Sequence, residues 1–226
     1  MMLRLLRRPW AVFAVLATLT AVLLSREQSS TTSDDDLYNQ VQGKNNTVLF
    51  LVNSNYGYSN VHLATAYALL ERHPDVKIHF GSYERMRPRV QRVEAAGASV
   101  NPAAQPISFH LLPADEYTVA LAARGVHSTI DNMIVPKGLA GNRILTKTLR
   151  WIFAPWLQED HLAIYRATRE LIDEIDPAVV VLDPVLRPAT EAAKDANRLH
   201  AVISPMTLEY FITDQPWGQF FWKYPL

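Results

Sequence analysis

The stretch Asn46–Pro74, NTVLFLVNSNYGYSNVHLATAYALLERHP, decides how the chain is read. Val48–Asn53 (VLFLVN) is a continuous apolar run, the pattern of a strand covered on both faces. Asn60–Arg72 has the composition and length of a helix, with Ser59 or Asn60 as its N-cap, and His73-Pro74 stops it. Between them lies SNYGYSN, polar, aromatic and turn-forming. A strand followed at once by a turn and a long helix is the opening of a βαβ unit.

The pattern repeats downstream. Val76–Gly81 (VKIHFG) is a second strand, and Pro88–Ala96 a short helix with Gly97 as its C′ residue. Ile107–Leu112 (ISFHLL) is a third strand. Leu157–Ile175 is an amphipathic helix, with Leu162, Tyr165, Leu171, Ile172 and Ile175 near the 3.6 period, stopped by Asp176-Pro177. Ala178–Leu182 (AVVVL) is a β-branched strand ending at Asp183-Pro184. Pro188–Arg198 reads as a helix and Ala201–Ser204 as a fifth strand. Strands alternating with helices specify an α/β fold, a Rossmann-like parallel sheet with helices on both faces. Pro113–Pro155 is less regular and reads as short helices and loops.

Composition narrows the function. Lys+Arg and Asp+Glu are 22 each in 226 residues, so the chain lacks the basic surface of a general nucleic-acid binder. Cysteine is absent, which excludes thiolate metal sites and thiol catalysis. The histidines show no H-x-x-x-H or H-x-x-E-H spacing, and no metal site is expected. No G-x-G-x-x-G or P-loop occurs, so no motif recognises a nucleotide phosphate.

The ends suggest location. Arg4, Arg7 and Arg8 precede an uncharged run, Pro9–Leu24, shorter than the roughly 20 residues that span a bilayer. Residues 1–24 are read as a signal anchor or a signal peptide. The anchor reading places the rest of the chain on the lumenal side of the endoplasmic reticulum or Golgi membrane, as a single-pass protein; the alternative is secretion. Residues 25–46 are Ser/Thr/Asp/Gln-rich and read as a flexible linker. Asn45-Asn46-Thr47 fits the N-glycosylation pattern at Asn45. Residues 47–213 form the Rossmann-like domain. The aromatic tail, 214–226, with Trp217, Phe220, Phe221 and Trp222, reads as the start of an absent interdomain segment.

In an open parallel sheet, ligands bind beyond the carboxyl ends of the strands. SNYGYSN and Asp183 both lie there. The segments VLFLVNSNYGYSNVHLATAYALLERHPDVKIHF and AVVVLDPVLRPATEAAKDANRLHAVISP resemble UDP-glycosyltransferases of the GT-B fold, in their amino-terminal, acceptor-binding half. The resemblance covers about Asn46 to Pro205. It implies transfer of a hexose from a UDP-sugar to a hydroxyl acceptor, a small lipophilic molecule or a lipid. The UDP-sugar would be bound by a carboxy-terminal domain not found in this chain, and no other cofactor is implied. The chain is then a fragment, an inactive relative, or half of a split enzyme with a donor-domain partner.

The same resemblance assigns site residues. Asp183 matches the aspartate that orients the catalytic base, Gly57 the turn glycine, and Asn60 an asparagine that often follows; Asn55 joins them as a substrate-binding candidate. Tyr58 stands at the position of the family's basic histidine. A phenol titrates near about 10 and is a poor base at neutral pH. His62 lies one helical turn on, about 6 Å along the axis, with a fitting pKa class but a different register. Both are carried as catalytic candidates with Asp183. The other reading is a membrane-anchored, non-catalytic binding or scaffold subunit, of which the acceptor half of the split N-acetylglucosaminyltransferase of dolichol-linked oligosaccharide assembly is a precedent.

Overall fold

The computed structural model describes residues 40–127, Pro136 and 139–205. Among them are strands β1 (Lys44–Leu51), β2 (Lys77–Ser82), β3 (Ser108–Leu111), β4 (Pro177–Leu182) and β5 (His200–Val202). The helices are α1 (Tyr56–Arg72), α2 (Arg87–Val100), α3 (Tyr117–Ala122), α4 (Leu139–Phe153), α5 (Gln158–Ile175) and α6 (Arg187–Asp195). The strands form one parallel sheet in the order β3-β2-β1-β4-β5. The chain runs outward from β1 to β3, then returns to the other side of β1 to place β4. The carboxyl ends of β1 and β4 therefore flank the topological switch point, where such folds open a crevice.

The continuous apolar run of β1 has a direct cause. Leu49 and Leu51 pack with Ile164, Ile172 and Ile175 of α5 and with Leu186 and Ala189 at α6. Val48, Phe50 and Val52 point the other way, into Leu63, Ala66 and Leu70 of α1 and Met86 and Val90 at α2. Alternate side chains of a strand face opposite sides, so a central strand with two helical layers must be apolar at every position. β4 obeys the same rule, with Val180 and Leu182 on the α5 side and Val181 on the α1 side.

Several boundaries differ from the sequence reading. Helix α1 starts at Tyr56, not Asn60, so most of SNYGYSN is the first helical turn. Asn55 is the N-cap: its Oδ1 accepts from the Gly57 amide at 3.1 Å. Its own amide donates to Asn53 Oδ1 at 2.6 Å, so two consecutive side-chain-to-backbone bonds replace the loop. Helix α2 runs on to Val100, and Gly97 lies inside it, pressed against Leu70 of α1. Within Pro113–Pro155, α4 is a 15-residue helix rather than a short one. On α5 the buried stripe is Ile164, Thr168, Ile172 and Ile175. Leu162 is exposed, and the Tyr165 hydroxyl donates to Asp195 on the surface at 2.8 Å. The 3.6 period was there, but its inner face is rotated from the one first assigned.

Strand β1 begins at Lys44, so residues 44–46 of the expected linker belong to the sheet, and Val41 already bridges to Arg198. Asn45 is exposed on this first part of the strand. Residues 1–24, the rest of the linker up to residue 39, and the tail 214–226 lie outside the described residues. Among the described residues, no helix is long and apolar enough to cross a membrane.

Candidate functional site

Parallel strands deliver their carboxyl ends to one edge, and the polar residues after β1, β2, β3 and β4 converge there. Asp183 is fully buried. Its Oδ2 accepts from the Asn53 amide at 3.2 Å and its Oδ1 from the Val185 amide at 2.9 Å. Its own amide donates to Leu51 O at 3.0 Å. Burial pushes the Asp183 carboxyl up to about 6; the Val185 amide, His62 and the Asn53 amide oppose that rise. The carboxylate thus locks the end of β4 to the turn after β1.

His62 is also fully buried. Its Nδ1 lies 2.9 Å from the Tyr58 carbonyl oxygen, so Nδ1 must carry the proton and donate. Nε2 is enclosed and without a hydrogen-bond partner. The ring stands edge-on to Phe50, 6.4 Å between centroids. Tyr58 is half-buried and packs against the same core as Leu49 and Leu51. The sequence-assigned Asp183, Tyr58 and His62 therefore gather at one sheet edge, with His62 sealed inside it.

The other assigned residues shape the turn. Asn55 caps α1, and its carbonyl accepts from both the amide and the hydroxyl of Ser59, at 2.8 and 2.7 Å. Asn60 is exposed and accepts from Arg89 on α2. Gly57 sits in the first helical turn with ordinary backbone angles and room for a Cβ, whose nearest neighbour would be Asn55 Oδ1 at 3.7 Å. It does not act as a strained turn glycine.

Four further residues join this edge without having been singled out from sequence. Tyr83, directly after β2, has a buried hydroxyl with no hydrogen-bond partner. Burial, then the charges of Glu116 and Asp183, drive its pKa well above the usual phenol range. Glu116, after β3, holds Arg85 at 3.0 Å and accepts from the Thr118 hydroxyl at 3.0 Å. Burial would raise this carboxyl, but Ser54, Arg85 and Thr118 together hold it below the usual value. Even so, neither Ser54 Oγ nor Glu116 Oε2 has a partner at hydrogen-bond distance. Tyr117 donates its hydroxyl to Ile152 O at 2.6 Å. Its pKa is raised by burial, then by Tyr58 and Asp183. Position gave one usable signal: Tyr83 follows a buried strand immediately, as Asp183 does, and Ser54 lies three residues past the end of β1. Glu116 carries no such mark.

A set of buried polar atoms without partners beside a buried carboxylate is what a binding crevice requires, because such atoms are costly unless something completes them. Among the comparisons with known proteins, one curated relative agrees with the sequence resemblance. No family model matches the chain. The chain is 31% identical over 191 residues to the glycosyltransferase sdnJ of Sordaria araneosa. That alignment covers 82% of this chain and 37% of the relative, so the chain spans little more than a third of the length of the protein it matches. Among solved structures, a ugt transferase from Siraitia grosvenorii in complex with UDP aligns with TM-score 0.38 and 16% identity, over 70% of this chain and 27% of that one. The chain is similar, over most of its length, to part of a glycosyltransferase.

Proposed function

We propose that this chain is the acceptor-binding half of a GT-B glycosyltransferase, acting in transfer of a hexose from a UDP-sugar to a hydroxyl of a small lipophilic acceptor. The observation that carries this reading is the cluster of buried, unpartnered polar atoms of Ser54, Tyr83 and Glu116 at the sheet edge where Asp183 ties β4 to the turn that opens α1. The similarity to sdnJ supports the reaction class. In this reading the UDP-sugar sits on a second half, outside the described residues, and the edge formed by Ser54, Tyr58, Tyr83 and Glu116 faces the acceptor. Asp183 positions the base and offsets the positive charge that develops on it. We place the chain on the lumenal side of a membrane, held there by residues 1–24.

One observation favours a second reading, a relative that binds the acceptor without catalysing transfer. The imidazole nearest Asp183 is enclosed, and the half-buried candidate at the base position is a phenol, Tyr58. The test joins this chain to the donor-binding half of a glycosyltransferase and measures UDP release from UDP-glucose with a panel of lipophilic alcohols. Acceptor-dependent release that falls at least tenfold in Asp183→Asn supports the enzyme. Saturable acceptor binding with no release supports the binding relative, and neither binding nor release would sink both.

A further inference from the structure

The stretch Arg85–Arg92 carries four arginines, and their partners are uneven. Exposed Arg85 pairs with Glu116 at 3.0 Å and Arg87 with Glu84 at 2.8 Å. Arg89, only 9% exposed, has no carboxylate among the described residues, and neither does Arg92. The Arg89 guanidinium instead spends three N–H groups on neutral atoms. Its Nη1 donates to Ser59 Oγ at 2.7 Å and to Met86 Sδ at 3.3 Å, and its Nη2 donates to Asn60 Oδ1. Its Cζ lies 4.2 Å from the centroid of the Tyr56 ring.

This is an unusual place for an uncompensated cation. Tyr56, Ser59 and Asn60 are the first turn of α1, where the helix dipole is already positive. A buried charge beside a pole of the same sign is stabilised by an anion. The geometry says where that anion goes. A guanidinium has five N–H groups, and three are used. The Nε–H and the second Nη2 hydrogen remain, the parallel pair that grips a carboxylate side-on. Arg89 and Arg92 also line a cleft of about 340 Å³ between α1 and α2, walled by Leu63, Ala64, Val93 and Ala96.

We propose that the α1–α2 cleft binds a small molecule with a carboxylate on an apolar body, the carboxylate on the free edge of Arg89 and the body along Leu63, Ala64, Val93 and Ala96. A carboxylate has two oxygens to satisfy, and one guanidinium edge satisfies both. A phosphate carries a third oxygen that this one guanidinium edge does not reach. This site lies between α1 and α2 and does not depend on the glycosyltransferase reading.

The experiment titrates the full 226-residue chain with octanoate by calorimetry, beside octanol, acetate and octyl phosphate. Octanoate is expected to bind saturably, one per chain, at least tenfold more tightly than any of the other three. Arg89→Met is the obvious variant, but it also removes the clamp on the α1 turn and can unfold it. Ala64→Trp fills the cleft from an exposed position, and Arg92→Glu reverses the charge at its rim; each is expected to weaken octanoate at least tenfold with an unchanged thermal melt. Equal binding of octanol would make the cleft merely apolar and overturn the proposal. So would tighter binding of octyl phosphate, no saturable binding of octanoate, or undiminished binding to Ala64→Trp.

Discussion

Asp183 Oδ2 accepts a hydrogen bond from the backbone amide of Asn53 at 3.2 Å, joining residues 130 apart in sequence across the mouth of the sheet. The other oxygen takes the Val185 amide. One side chain therefore satisfies two buried amides on two different segments. Asp183→Ala leaves both without an acceptor, and each orphaned amide costs roughly 1–3 kcal/mol. Urea denaturation is expected to show a loss of about 2–4 kcal/mol. A change below about 0.5 kcal/mol would mean that water or the backbone replaces the carboxylate.

The same burial makes stability depend on pH. The folded carboxyl of Asp183 titrates at about 6, above its ordinary value of 3.8. Between those values the folded chain holds a proton that the unfolded chain has released. The neutral acid thus favours folding at low pH, and that contribution is lost as pH rises through about 6. Stability profiles of the wild type and Asp183→Asn, which cannot ionise, isolate the contribution. The wild type is expected to lose stability relative to the variant from near pH 4 to near pH 6 and to run parallel above it. Parallel profiles throughout would show that the carboxyl is not shifted.

A second pair acts in the opposite direction. His79 Nδ1 and His110 Nε2 lie 3.0 Å apart across β2 and β3, with the rings stacked at 5.2 Å. One ring must donate to the other, so protonating both destroys the bond. Burial lowers both pKa values; His110, Lys77 and Lys44 lower His79 further, while Glu174 opposes the fall in each. The unfolded imidazoles therefore take up protons first, near 6.5. Stability from this pair is fully present above that value and is lost as pH falls through it. Urea midpoints near pH 7.5 and near pH 5 should fall further for the wild type than for a His79→Gln/His110→Gln double variant. An equal fall in both proteins would remove the pair from the account.

Gly97 carries the contact between α1 and α2. A Cβ there would lie 2.6 Å from Leu70 Cδ1 and 2.8 Å from Leu70 Cβ. Leu70 is itself only 1% exposed, so it cannot swing aside freely. Alanine would gain up to about 1 kcal/mol of helix propensity. Overpacking so close to a backbone-anchored Cβ costs about 1–3 kcal/mol, and the helices cannot separate without opening the core. Gly97→Ala is expected to be destabilising by thermal melt, and a raised melting temperature would refute the close approach.

Much of this was legible from residues alone, and the gaps have physical causes. Strands β1 and β4 were readable because a strand covered on both faces must be apolar throughout, and Asp183 because it ends one. The start of α1 was missed because Asn, Tyr, Gly and Ser suit a turn as well as a first helical turn; Asn55 decides between them through one hydrogen bond. Gly97 looked like a helix terminus because sequence cannot distinguish a glycine that ends a helix from one that lets two helices touch. Glu116 and Arg89 were invisible for another reason. Each lies on a polar stretch that reads as solvated surface, and only the packing of a distant element buries it.

The last prediction concerns the base. Tyr58 and His62 occupy successive turns of one helix face and are already joined, since His62 Nδ1 donates to the Tyr58 carbonyl oxygen. That bond holds the imidazole inward, beside Phe50 and within the field of Asp183. A base must reach the proton it removes, to about 3 Å. Enclosed His62 does not, while the half-buried side chain at 58 lies nearer the mouth. In the chain joined to a donor-binding half, Tyr58→His is expected to raise UDP release about tenfold or more, because a group that titrates near neutrality replaces a phenol. The gain should disappear in Tyr58→His/Asp183→Asn. His62→Ala is expected to lower stability by about 2–4 kcal/mol through the cavity it leaves, with little effect on turnover of the folded fraction. If His62→Ala instead abolishes turnover while the melt is unchanged, the imidazole works from inside the core and the base lies one turn along α1 from the position assigned.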